Sequence, residues 1–85
     1  MTLKIERTAK RQCTVFALSG RLEAGQITEL TELFKGEDRS VVMDLRELRL
    51  ADRDAVRFLA RCEGHGIKLE NCPAYIREWM EKEKF

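Results

Sequence analysis

What this sequence has little of narrows its function first. The 85 residues carry a formal net charge of +1. No bulk field therefore draws the chain to nucleic acid or to an acidic membrane. No apolar run approaches the length of a membrane span. The opening residues alternate polar and apolar side chains and lack the apolar core of a signal peptide. A cytoplasmic location without membrane insertion is the expectation. Cysteine is scarce. Cys13, Cys62 and Cys72 form an odd set without close pairs, which argues against a disulfide framework and for reduced thiols.

Histidine occurs once, as His65 between Gly64 and Gly66. A base-and-nucleophile site needs a hydroxyl or thiol and an orienting acid beside the imidazole. Only Cys62 could pair with His65, and a Cys62 facing the core cannot attack a substrate. Cys62-Glu63-Gly64-His65 has close ligand spacing and Cys72 follows, yet further metal ligands would have to come from afar. Cys13 and Cys62 read as small buried hydrophobes. No glycine-rich loop with lysine offers a phosphate cradle. No catalytic residue, metal site or cofactor is expected, and the chain does not read as an enzyme.

What is present is a balance of 44% hydrophobic and 36% charged residues. That balance suits one compact domain over residues 1–85 with a solvated exterior. Residues 3–7 set Leu3 and Ile5 against Lys4 and Glu6, the period of a half-buried strand. Residues 13–19 are nearly all apolar or β-favouring, as in a strand covered on both faces and ended by Gly20. The short link between them predicts an antiparallel hairpin. Over residues 25–35, Ile27, Leu30, Leu33 and Phe34 lay one apolar stripe along a helix that Gly36 stops. A charged link, residues 37–39, leads to a buried strand over residues 40–45. A helix between strands implies a parallel crossover.

Residues 46–51 read as a connection of mixed character. Asp52 can cap a helix running to about Glu63. Ala55, Phe58, Leu59 and Cys62 form its inner stripe, and Arg53, Arg57 and Arg61 the opposite one. Residues 67–70 predict a fourth strand. Pro73 suits the first position of a last helix, because its missing N–H is not needed there. Tyr75, Ile76, Trp79 and Met80 give that helix its inner face, and residues 81–84 fray. The whole is an α/β fold with a mixed four-stranded sheet, in the order strand, strand, helix, strand, helix, strand, helix.

Three stretches together resemble STAS domains, the sulphate-transporter and anti-sigma-factor-antagonist family. Ser19-Gly20-Arg21-Leu22-Glu23-Ala24 is similar to that family's strand-to-helix entry. Val41-Val42-Met43-Asp44-Leu45 resembles its third strand. Leu50-Ala51-Asp52-Arg53-Asp54-Ala55-Val56 occupies the place of its Asp-Ser-Ser-Gly signature. The resemblance covers most of the chain and implies a STAS-like fold shortened at the C-terminus by a strand and a helix. It also implies a regulatory partner switch: an anti-sigma-type serine kinase binds the domain, phosphorylates the first signature serine and is released. A phosphate there would place roughly −2 charge at the positive end of a helix dipole.

The signature departs from that pattern. Arg53 stands at the phosphoserine position, Asp54 at the second serine and Ala55 at the glycine; Asp52 alone is retained. Residues 51–65 contain no Ser, Thr or Tyr, so no phosphorylation is expected at this helix start. Asp52 and Asp54 suit a helix N-terminus by capping and by charge. Asp54 also puts a fixed negative charge where the family has a switchable one, with Arg53 beside it. Arg53, Arg57 and Arg61 are either a solvated face or a docking surface for carboxylates or phosphates. No aromatic residue interleaves them, which argues against nucleic acid.

The candidate partner-binding residues are thus Asp52, Arg53, Asp54, Arg57 and Arg61. The expected function is that of an anti-sigma-factor-antagonist-like binding module. An accessory subunit of a membrane transport complex and a small-molecule or nucleotide sensor are the alternatives. Tyr75, Trp79 and Phe85 lie where the shortened C-terminus would leave an apolar patch or strand edge, so self-association as a homodimer is a further expectation.

Overall fold

The structure is a computed structural model and describes residues 3–83. Its elements are β1 (Leu3–Ala9), β2 (Cys13–Leu22), α1 (Ala24–Lys35), β3 (Ser40–Asp44), β4 (Leu48–Ala51), α2 (Arg53–Gly64), β5 (Lys68–Glu70) and α3 (Ala74–Lys82). β1 and β2 pair antiparallel, with Ile5 opposite Leu18. β3 runs parallel to β2, with Phe16 opposite Met43, and β5 runs parallel to β3. The sheet is α/β and mixed, as expected, but has five strands.

The fifth strand, β4, lies in the stretch expected to be a connection. After β3 the Asp44 carboxylate accepts the backbone N–H of Arg46 at 3.0 Å, which turns the chain outward. The chain then returns beside the far end of β2, where Gly20 and Leu22 meet Leu48 and Ala51. That end of β2 exists because Gly20 does not stop the strand. With φ at 98° it carries the chain onward, and the register against β4 shifts between Gly20 and Arg21. A glycine tolerates this irregularity, which would strain other residues.

β2 is covered on one face only, against expectation. Its burial alternates, with Thr14, Phe16 and Leu18 buried and Cys13, Val15 and Ala17 half-buried. Phe16, Leu18 and Met43 share one core with Leu30 of α1, five residues of α2, and Ile76 and Met80 of α3. All three helices therefore bury their stripes on the same side of the sheet. A strand rich in apolar residues of both parities reads as doubly covered, although here only one parity meets helices.

Other departures follow from helix geometry. Leu33 is 38% exposed and Tyr75 is 45% exposed, so both leave the expected inner stripes. Each sits one residue from a better-placed apolar neighbour, Phe34 or Ile76, and one step rotates a helical side chain by about 100°. Pro73 precedes the helix as its N-cap, its carbonyl accepting the N–H of Arg77 at 3.0 Å. The expected fraying is contradicted at Glu83, which caps α3 and is held by other side chains. Lys84 and Phe85 lie outside the described residues.

Glu37, expected as part of a charged link, pins the sheet end instead. Its carboxylate takes Arg7 Nε at 2.7 Å and the Thr14 hydroxyl at 2.8 Å. Chiefly the Arg7 bond, and then the Thr14 bond, hold Glu37 below its ordinary value of 4.5. A depressed carboxylate contributes stability that is complete above the unfolded value and is lost as pH falls through the folded one. Melting followed by circular dichroism should thus lose more temperature between about pH 5 and about pH 3 in the native protein than in Glu37→Gln.

Candidate functional site

The start of α2 is built from three chain segments. Asp52 caps the helix, its Oδ1 accepting Ala55 N–H at 2.8 Å. Its Oδ2 accepts the N–H of Ala24, the first residue of α1, at 3.1 Å. Its own N–H reaches the Leu22 carbonyl at the end of β2 at 3.2 Å. One carboxylate thus fastens both helix starts, where amide hydrogens lack helical partners. The capping expected from the sequence is present; the bond to Ala24 lies across 28 residues of chain and left no local signal. α1 is also closed by Gln26, whose side chain accepts the Glu23 N–H at 2.8 Å.

Arg53 and Asp54 follow, both exposed, and Asp54 sits in the first turn, where a negative charge suits the helix dipole. The arginine row does not form one flat surface. Four residues turn a helix by about 400°, so each step along the row advances about 40°. Arg53 and Arg57 face the end of α3, where Glu83 lies 3.6 Å from Arg53 Nε and accepts Arg57 Nε at 2.9 Å. Chiefly through the Arg57 bond, Glu83 is held below the usual carboxylate range. Arg61, rotated furthest, is exposed on the α1 side and borders a groove between α1 and α2. The structure therefore brings Asp52, Arg53, Asp54 and Arg57 together and sets Arg61 apart.

Three neighbours of this helix start were not foreseen. Leu50 is 51% exposed, the most exposed large apolar side chain among the described residues. Tyr75 lies close by, its hydroxyl donating to the Arg49 carbonyl at 2.5 Å. Arg21 lines a shallow hollow with Leu50 and Asp52, and its Nε is buried without a hydrogen-bond partner. Leu50 alternates with buried Leu48 in β4, so only knowledge of that strand would have turned it outward.

The sulfur and imidazole groups lie elsewhere. Cys62 is buried in the core, and burial pushes its thiol up to about 11, with Arg61 pulling weakly the other way. A thiol so raised is protonated at neutral pH and is a poor nucleophile. His65 Nδ1 lies 2.7 Å from the Arg61 carbonyl. Cys13 and Cys72 are half-buried free thiols, so Cys13 is less enclosed than expected. No helix among the described residues is long and apolar enough to cross a membrane.

A mixed sheet with three helices packed on one side, and an Asp-capped helix start beside the end of its second strand, defines a fold of the STAS, SpoIIAA-like type. Solved structures share it. The anti-sigma factor antagonist SpoIIAA in its unphosphorylated form matches with a TM-score of 0.65 at 19% identity, over 99% of this chain and 86% of that one. A STAS-domain antisigma-factor antagonist from Rhodobacter sphaeroides matches with a TM-score of 0.63 at 11% identity, over 81% of this chain and 86% of its own. A structure described as Mglu matches with a TM-score of 0.64 at 18% identity over 81% of this chain, which spans only 19% of that protein. No protein-family model and no curated protein sequence matches the chain.

Proposed function

We propose that this protein is a regulatory binding module of the anti-sigma-factor-antagonist type, docking a protein partner through the start of α2 and not switched by phosphorylation there. The observation that carries this reading is the outlying apolar side chain, Leu50, exposed beside Arg21 and Asp52 at the turn that leads into Arg53. An exposed leucine beside an arginine and a tyrosine offers an apolar anchor with charged surroundings, the composition of an interface centre. Asp52 holds the turn rigid, so little ordering cost falls on association. Arg53 keeps a positive charge where a phosphate would be negative, which favours a partner with an acidic contact surface. The absence of hydroxyls in residues 51–65 leaves nothing there for a kinase to modify.

The test uses purified serine kinases of the anti-sigma type with labelled ATP. The native protein should bind one of them without acquiring label. Arg53→Ser should acquire it. Leu50→Asp and Arg53→Glu, both at exposed positions, should each weaken binding by about tenfold or more while melting normally. Equal binding by both charge-altered variants and the native protein would move the interface elsewhere.

A further inference from the structure

On the opposite flank of α2, away from the signature turn, the C-terminal halves of α1 and α2 enclose an open groove of about 580 Å³. That volume lies within the range of small-molecule sites, about 300–1,000 Å³. Its walls are Ile27 and Phe34 from α1, Phe58 and Cys62 from α2, and Ile67 from the following loop. Phe34 and Phe58 stack at 6.3 Å with their planes 13° apart. The one hydroxyl on the lining, Thr31, is already spent on its own helix, donating to the Ile27 carbonyl at 2.9 Å.

The charged lining is of one sign. Lys35 and Arg61 gather where both helices end, with His65 beside them, and no acidic side chain among the described residues lines the groove. Cations at helix ends can serve merely to answer the helix dipole. Here the terminal carbonyls are already met by backbone: Gly36 and Glu37 N–H donate to Leu33 and Phe34, and His65 N–H to Arg61 and Cys62. Lys35 has one neighbour, the exposed Glu32 at 3.5 Å, and the Arg61 guanidinium has no ion pair among the described residues. An apolar trough with cations at one end matches a molecule with an apolar body and a single anionic head.

We infer that this groove binds a medium-chain fatty carboxylate, its chain against Phe34 and Phe58 and its carboxylate at Arg61. The guanidinium presents paired N–H donors suited to carboxylate oxygens, and each chain methylene removed from water adds favourable transfer energy. The binding is separate from the docking turn, so it can be present or absent whatever that turn does.

The experiment titrates decanoate, below its micelle concentration, into the isotopically labelled protein and follows amide shifts. Decyltrimethylammonium, with the same chain and the opposite charge, is the comparison. Decanoate should saturate one site, with shifts confined to residues 27–35 and 58–67. The cation should bind at least about tenfold more weakly. Arg61→Glu should weaken decanoate about tenfold, and Thr31→Trp, which fills the groove without emptying the core, should abolish binding. Equal binding of both amphiphiles, shifts spread outside the groove, or no effect of either substitution would overturn the assignment. So would concentration-dependent shifts of the same residues without ligand, which would put a second copy in the groove.

Discussion

Phe16→Ala should lower stability by about 3–5 kcal/mol, the usual cost of emptying a large aromatic from a core. Phe16 is 1% exposed at the centre of β2. Its ring meets Phe34 edge-on at 5.1 Å, and Phe34 in turn stacks on Phe58. The three rings connect the sheet to α1 and α2, so truncation removes both buried area and an aromatic pair. Domains of this size hold about 0.05–0.15 kcal/mol per residue, or roughly 4–13 kcal/mol in all. The variant should therefore melt about 15–30 °C lower, or be partly unfolded at room temperature. Phe16→Leu should recover most of the loss. Thermal and urea unfolding measure both, and a loss under about 1 kcal/mol for Phe16→Ala would show that this ring is not the keystone of the core.

Asp52→Ala should cost about 2 kcal/mol, more than an ordinary cap, because two helix starts lose an acceptor together. Asp52→Asn separates the two bonds. The asparagine oxygen can still accept the Ala55 N–H, but its amide nitrogen is a donor and would face the Ala24 N–H, another donor. The expected order of stability is native, then Asn, then Ala. Hydrogen exchange supplies the finer readout: in the Asn variant the Ala24 amide should lose protection while the Ala55 amide keeps it. Loss of both to the same degree would mean that the carboxylate acts through its charge and not through these two bonds.

Legibility in the sequence followed the range of the interactions. The hairpin, the crossover helix and α2 were readable because each depends on periodicity and on end signals within a few residues. The inner stripe of Ala55, Phe58, Leu59 and Cys62 is buried as expected. β4 was not readable, since its strand character rests on pairing with the end of β2 and on the Asp44 side-chain turn. The turn at the start of α2 was partly legible. Asp52 announced itself as a cap, while Leu50 became a surface feature only once β4 had taken its place, and the position of Tyr75 against Arg49 came from the packing of α3. The arginine row was visible as a pattern, yet its division between Glu83 and the groove came from the slow rotation of the helix and from a residue 26 positions away from Arg57.

By itself the sequence determined every element type but β4, the buried side of α2, and the absence of a hydroxyl in residues 51–65. These depend on local backbone preference, on the burial of apolar stripes and on covalent composition, none of which requires a partner from afar. Tertiary structure alone decided that only one face of the sheet is covered, that Glu37 and Glu83 hold arginines from distant segments, and that a single aspartate fastens two helices. Those facts belong to distances between chain segments, which side-chain period cannot encode because many packings share the same period.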